Sequence, residues 1–264
     1  SDVDVVYVAR GLDDGSDGGS GDAEPLDEPD VIRIATRLAT SVGRAVSASA
    51  GEPALWILDA NLRPEGKDGP LVRTLESHVA YYDRWAKGWE FQALLKARPI
   101  AGDMELGEAY ISALRPKVWE AANRENFVED SRAMRRRVEE HVPAREQGRQ
   151  LKLGKGGLRD VEFTVQLLQL VHGRTDESLR TQSTLDSIGA LRDGGYVARK
   201  DAELLDHDYR FLRTLEHRIQ LQRLRRSHLV PSGEAELRRV ARSLQRAGIH
   251  TSADLEKAWQ DTRR

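Results

Sequence analysis

Cysteine is absent from the 264 residues, which excludes disulfides and thiolate metal sites and removes any pointer to secretion. Long apolar runs are missing as well. No 18 consecutive apolar residues occur, so no membrane-spanning helix is expected and membranes are not an expected partner. Nor is there a surplus of basic charge. Against 41 Lys and Arg stand 43 Asp and Glu, a formal net charge of −2, which excludes a globally basic nucleic-acid binder. What is plentiful is charge itself: 32% charged with 39% hydrophobic residues describes a soluble, helix-rich chain expected to be cytoplasmic. Its length suits one large domain or two modest ones.

The chain opens as though in mid-core. Ser1-Asp2-Val3-Asp4-Val5-Val6-Tyr7-Val8 alternates and is β-branched from its first residue, with no cap or loop ahead of it. Such a start is expected of a piece of a longer polypeptide. Residues 11–30 are rich in Gly, Ser and acids and suit a flexible loop. Helical periodicity runs over 31–48 through Ile32, Ile34, Leu38, Val42 and Val46, and a second strand is expected at 54–60. Pro64, Gly66 and Gly69 then enforce a loop over 61–69. Beyond it the patterns are helical, at 74–97, 103–122, 126–141, 158–172, 182–193, 201–226, 234–247 and 252–263. The fold class expected is α+β: a small α/β unit at 1–122, then a helical domain at 123–264.

Residues two apart on a strand share a face, so Asp2 and Asp4 project side by side. Adjacent carboxylates repel, and a hard divalent ion such as Mg²⁺ is the compensation that oxygen ligands favour. Asp59 is a third acid out of place, at the end of the apolar run Trp56-Ile57-Leu58. Three strand-borne carboxylates suit a two-metal site for phosphoryl or nucleotidyl transfer. A solvent-exposed strand end is the plain alternative for Asp2 and Asp4.

From Asp59 the sequence reads Asp-Ala-Asn-Leu-Arg-Pro-Glu-Gly-Lys-Asp-Gly-Pro-Leu-Val. It resembles the D-x-R-L-R-P-x-G-x-x-G-P-L-V signature of the bifunctional glutamine synthetase adenylyltransferases. Further motifs of that family follow in order: Ser1-Asp2-Val3-Asp4, then Tyr81-Tyr82 with Trp89-Glu90 and Lys96-Ala97-Arg98. Residues 152–163, Lys-Leu-Gly-Lys-Gly-Gly-Leu-Arg-Asp-Val-Glu-Phe, and Leu215-Glu216-His217-Arg218 complete the set. The resemblance spans residues 1–226. One departure is Asn61, where the family often has Arg. A second is that the family's Gly-rich turn and helix ahead of the S-D-x-D strand are not in this sequence.

The resemblance implies a polymerase-beta-like nucleotidyltransferase catalytic domain, N-terminally truncated here, followed by a helical bundle domain. Asp2, Asp4 and Asp59 would be catalytic and metal-binding. Mg²⁺, ATP or ADP, and phosphate would be the small-molecule complement. Glutamine synthetase would be the protein partner, with the PII signalling protein a further one. The form of residues 152–163 looks more like the half that removes AMP by phosphorolysis. The half that adds AMP from ATP, a PII uridylyltransferase and a non-catalytic docking module are the alternatives. RNA-directed transfer is disfavoured, because the first thirty residues hold ten acids and one arginine.

Arg63 and Lys67 in the signature loop, and Lys96 and Arg98 after it, are the candidate nucleotide-phosphate contacts. For Arg63 the plainer role is closing a turn; for Lys96 and Arg98 it is capping a helix end. Glu90 is expected to pair with one of those two. Gly154-Lys155-Gly156-Gly157 could present amides to an anion or simply link into a helix. The six arginines of 210–226 read as a solvated basic face, or as one receiving an acidic partner. Tyr and Trp over 81–89 are read as core.

Overall fold

The computed structural model describes residues 2–11, 26–47, 57–224 and 227–263. The chain divides into two compact units, Ser1–Val118 and Trp119–Arg264. The expected loop over 11–30 falls mostly outside the described residues, as does the start of the expected strand at 54–60.

In the first unit the expected opening strand is two short strands, β1 (Asp2–Asp4) and β2 (Tyr7–Ala9). Each pairs with a different partner. β1 runs parallel to β3 (Ile57–Asp59), and β2 runs parallel to β4 (Val72–Thr74). The switch occurs at Val5, whose amide donates to the Asp59 carbonyl at 2.8 Å. Helix α1 (Glu28–Ser47) packs on β2, β3 and β4. Its buried contacts are the small or β-branched Val31 and Ala39, with Ile32 and Ala35 beside them, against Ala9 and Val72. Alanines let the helix backbone approach the strands closely. The larger residues that carry the sequence periodicity, Ile34, Leu38, Val42 and Val46, lie on the exposed side.

The expected single helix at 74–97 is two helices, α2 (Leu75–Arg84) and α3 (Gly88–Leu94). Thr74 caps α2 by accepting from the Ser77 amide at 3.2 Å. The break has a specific cause. Lys87 is extended, and the Glu90 carboxylate accepts from its amide at 2.7 Å, so a new helix is capped where the old one ends. Helix α4 (Met104–Glu120) follows.

The second unit is helical: α5 (Phe127–Glu140), α6 (Leu158–His172), α7 (Thr184–Asp193), α8 (Arg199–Arg223), α9 (Glu234–Ser243) and α10 (Ser252–Thr262). Successive helices pack in the order α6, α7, α8, α9, α10, with α6 also against α8. Leu151, Leu170, Leu179, Leu212, Leu215 and Leu255 are fully buried within the unit. Among the described residues no helix is long and apolar enough to cross a membrane. The architecture is therefore mostly helical with small parallel sheets, in keeping with an α+β class.

Candidate active site

The register of β1 on β3 places Asp4 directly opposite Asp59. Neighbouring strands lie about 4.8 Å apart and paired positions project to the same face. Two carboxylates, 55 positions apart in sequence, are thereby brought to one place. Asp4 is exposed and Asp59 half-buried. One Asp59 oxygen, Oδ1, accepts from the Asn61 amide at 2.8 Å, which fixes the carboxylate as the chain turns into the loop. Asp2 stands two residues before Asp4 in the same strand, opposite Ile57, and its side chain is outside the described set. Among the described residues no group of three or more His, Asp or Glu side chains is gathered to hold a metal ion. Asp4 and Asp59 do supply a hard oxygen donor pair, and Mg²⁺ is commonly held by one or two carboxylates together with substrate phosphates.

The loop after Asp59 is closed from within by Arg63. Its guanidinium donates to three backbone carbonyls: Nη1 to Ala60 at 2.8 Å, Nε to Gly69 at 3.1 Å and Nη2 to Lys67 at 3.3 Å. Three of five donors are spent on the loop itself, leaving two for any ligand. Glu65 and Gly66 both take left-handed backbone conformations, at φ 62 and 59. Gly69 is required by space, because a Cβ there would sit 2.2 Å from the Pro64 carbonyl. Lys67 is exposed on the one-turn 3₁₀ helix Gly66–Asp68.

Lys96 and Arg98 lie just beyond the end of α3, both exposed, so the helix end they follow is that of the second of two helices. Two donors hold the Glu90 carboxylate: the Tyr81 hydroxyl donates to its Oε1 at 2.8 Å, and the Lys87 amide to its Oε2. The aromatic cluster at 81–89 is only partly core. Tyr82 is buried against Phe91, whereas Trp85 is 72% exposed. Neither Tyr81 nor its link to Glu90 is foreseeable from spacing along one continuous helix, because the helix break redirects Glu90.

In the Gly-rich turn at 154–157 the Gly156 and Gly157 amides serve the chain's own acceptors, as do the two amides that follow. Gly156 donates to Asp160 Oδ2 at 2.6 Å, Gly157 to the Gly154 carbonyl, Leu158 to Leu151 and Arg159 to Lys152. Arg263 closes over the turn, and a Cβ on Gly156, itself at φ +68, would meet that residue at 2.6 Å. This is a packed linker into α6. The arginines of α8 are likewise not simply a solvated face. Arg210 pairs with Asp206, while Arg213 bridges two buried carboxylates, Glu162 and Glu216. Arg225 and Arg226 lie outside the described residues.

Comparison with known proteins adds sequence kinship to this geometry. Residues 1–113 match the family model described as glutamate-ammonia ligase adenylyltransferase. Residues 132–264 match the model described as GlnD PII-uridylyltransferase. Over 262 residues the chain is 60% identical to the bifunctional glutamine synthetase adenylyltransferase/adenylyl-removing enzyme of Streptomyces coelicolor, covering 98% of this chain and 25% of that protein. The protein of the same name from Cutibacterium acnes is 51% identical, with 99% and 25% covered. That from Mycobacterium bovis is 56% identical over 236 residues, with 89% and 21% covered. The chain spans about a quarter of the length of the Streptomyces coelicolor protein.

Proposed function

The chain belongs to the bifunctional glutamine synthetase adenylyltransferase/adenylyl-removing family, and from that premise we propose that it performs nucleotidyl transfer on a tyrosine of glutamine synthetase, in the AMP-removing direction. The observation that carries the proposal is the parallel register setting Asp4 against Asp59, with the family's signature loop issuing from Asp59. Residues 1–122 act as a polymerase-beta-like catalytic domain and 123–264 as a helical bundle domain. A phosphate oxygen attacks the α-phosphorus of adenylyl-tyrosine, the bond to the tyrosine oxygen breaks, and ADP and free tyrosine are released.

Asp2, Asp4 and Asp59 would hold Mg²⁺, which when bound neutralises charge on the phosphoryl oxygens. Asp59 is oriented by the Asn61 amide, so its position is set before substrate arrives. The two N–H groups of Arg63 not spent on the loop, with Lys67, Lys96 and Arg98, face phosphate oxygens of the nucleotide or the attacking phosphate. The form of residues 152–163 supports the removing direction. The protein would work in the cytoplasm, where PII would serve as a signalling partner. A second reading, uridylyl transfer to PII, draws on the match over 132–264.

The test uses the full-length polypeptide and adenylylated glutamine synthetase. Phosphate-dependent ADP release is expected, and Asp4→Ala should abolish it while leaving AMP addition from ATP intact. Loss of AMP addition instead would reverse the direction. Full ADP release by Asp4→Ala would overturn the metal assignment, and uridylylation of PII lost in the same variant would favour the second reading.

A further inference from the structure

The signature loop is held in a shape that its own backbone disfavours. Glu65, a residue with a Cβ, is left-handed at φ 62 and is followed directly by Gly66 at φ 59. Such a pair persists only where its surroundings over-determine it. Arg63 closes the loop from inside, as described above. An ion pair holds the Glu65 side chain from outside, and two further elements back it.

The Glu65 carboxylate is paired with Arg73 Nη2 on β4. Arg73 is itself fixed, with Nη1 donating to Ser77 Oγ at 3.2 Å and its guanidinium 5.9 Å from the Tyr81 ring. The Tyr81 ring beside Arg73 is tethered in turn, because its hydroxyl donates to Glu90 Oε1 at 2.8 Å. Glu90 is only 4% exposed, and its other oxygen accepts from the Lys87 amide at 2.7 Å. The side chain of one strained residue is thus held by Arg73 of β4, and Arg73 is backed by α2 and, through Tyr81 and Glu90, by the start of α3.

We propose that Tyr81 and Glu90, with Arg73, are positioning residues that set the shape of the loop at 60–69, and through the loop the orientation of Asp59. The link to the acid is direct. Asp59 Oδ1 is held by Asn61, the second residue of that loop, so a loop that relaxes releases the carboxylate. This inference rests on the proposed nucleotidyl-transfer reading for its catalytic consequence, though not for the clamp itself. Glu90 suits the role because its two oxygens each take one donor. A glutamine offers one acceptor oxygen and can satisfy only one of them.

The test compares Tyr81→Phe, Glu90→Ala and Glu90→Gln with wild type in the full-length polypeptide. Two readouts are taken: hydrogen exchange of peptides over 60–70 and over α4, and steady-state AMP removal. In Tyr81→Phe and Glu90→Ala the loop peptide should exchange at least about tenfold faster while the α4 peptide is unchanged. Turnover kcat should fall about tenfold or more, with KM for phosphate within about twofold, the pattern of an effect on the transition state. Glu90→Gln should recover part of both losses. Wild-type loop exchange in Tyr81→Phe would overturn the proposal. So would loop and α4 peptides loosening equally, which marks general destabilisation. If wild type removes no AMP, the functional reading fails, while the exchange data still decide whether the clamp exists.

Discussion

Arg63 offers the sharpest discrimination between holding the loop and holding a ligand, through the substitution Arg63→Lys. Lysine keeps the charge but offers a single ammonium in place of a planar fork. The three carbonyls that Arg63 serves, on Ala60, Lys67 and Gly69, lie around the loop and are reached by three different nitrogens. One ammonium can reach one of them, or two at most. At a net value of about 1 kcal/mol for each hydrogen bond, the substitution costs about 2 kcal/mol of local stability, and Arg63→Ala about 3 kcal/mol. An opening equilibrium shifted by about 2 kcal/mol corresponds to exchange faster by about 30-fold. The reporters are the Gly66 and Asp68 amides, which bond to the Arg63 and Glu65 carbonyls inside the loop. Native-state hydrogen exchange of the ligand-free protein reads them directly. If Arg63 instead served mainly as a phosphate contact, Arg63→Lys would exchange like wild type without ligand and raise KM for phosphate. That pair of results would refute the staple.

Acid should weaken the two units in different pH windows. In the first unit, burial and, to a lesser degree, the nearby Arg73 charge lower the His78 pKa from 6.5 to about 4, against an opposing hydrogen bond to the Tyr7 carbonyl. The unfolded chain therefore takes up a proton below pH 6.5 that the folded chain refuses until about pH 4, and stability falls across that interval. The loss reaches about 2.5 kcal/mol at pH 4.5, and urea denaturation of His78→Phe should lack this slope. In the second unit burial pushes the Glu216 carboxyl up, but hydrogen bonds and charge from His228 and Arg213 outweigh it and hold it at about 2, below the usual 4.5. Its contribution is present above pH 4.5 and is lost as pH falls toward 2. Glu216→Gln should therefore cost about 3 kcal/mol at pH 7 and converge on wild type near the lower limit, a convergence that thermal melts would detect.

What the sequence made legible is what local chemistry decides. Period-two spacing identified the acidic strand, Pro64 with two glycines identified the loop, and helical periodicity located the helices of the second unit within a few residues. What it concealed depends on partners far along the chain. Nothing in Val5 and Val6 announces that the backbone leaves one parallel neighbour for another, since that depends on β3 and β4, more than 50 residues away. The helix break at 85–87 was hidden because Trp85, Ala86 and Lys87 are all tolerable inside a helix, and the capping carboxylate that starts α3 looked like one more helical charge. Burial on α1 follows close packing rather than size: Ile34 and Leu38 are exposed, and the small sheet selects the alanines.

The arginines teach the same lesson about chemistry. From composition, Arg63, Arg73 and Arg213 are interchangeable positive charges. In the fold, Arg63 is committed to three carbonyls, Arg73 to Glu65 and Ser77, and Arg213 to Glu162 and Glu216. A guanidinium presents five donors in a fixed plane, so its role follows from the acceptors that the fold arranges around it. In the first unit those acceptors belong to the signature loop and its border with β4. Arg63 therefore acts first on the backbone of the loop that issues from Asp59. The two donors left over on Arg63, with Lys67, Lys96 and Arg98, are the groups proposed to meet a phosphate. Loop shape and phosphate contact are consequently coupled, and a substitution at either position is expected to disturb the other.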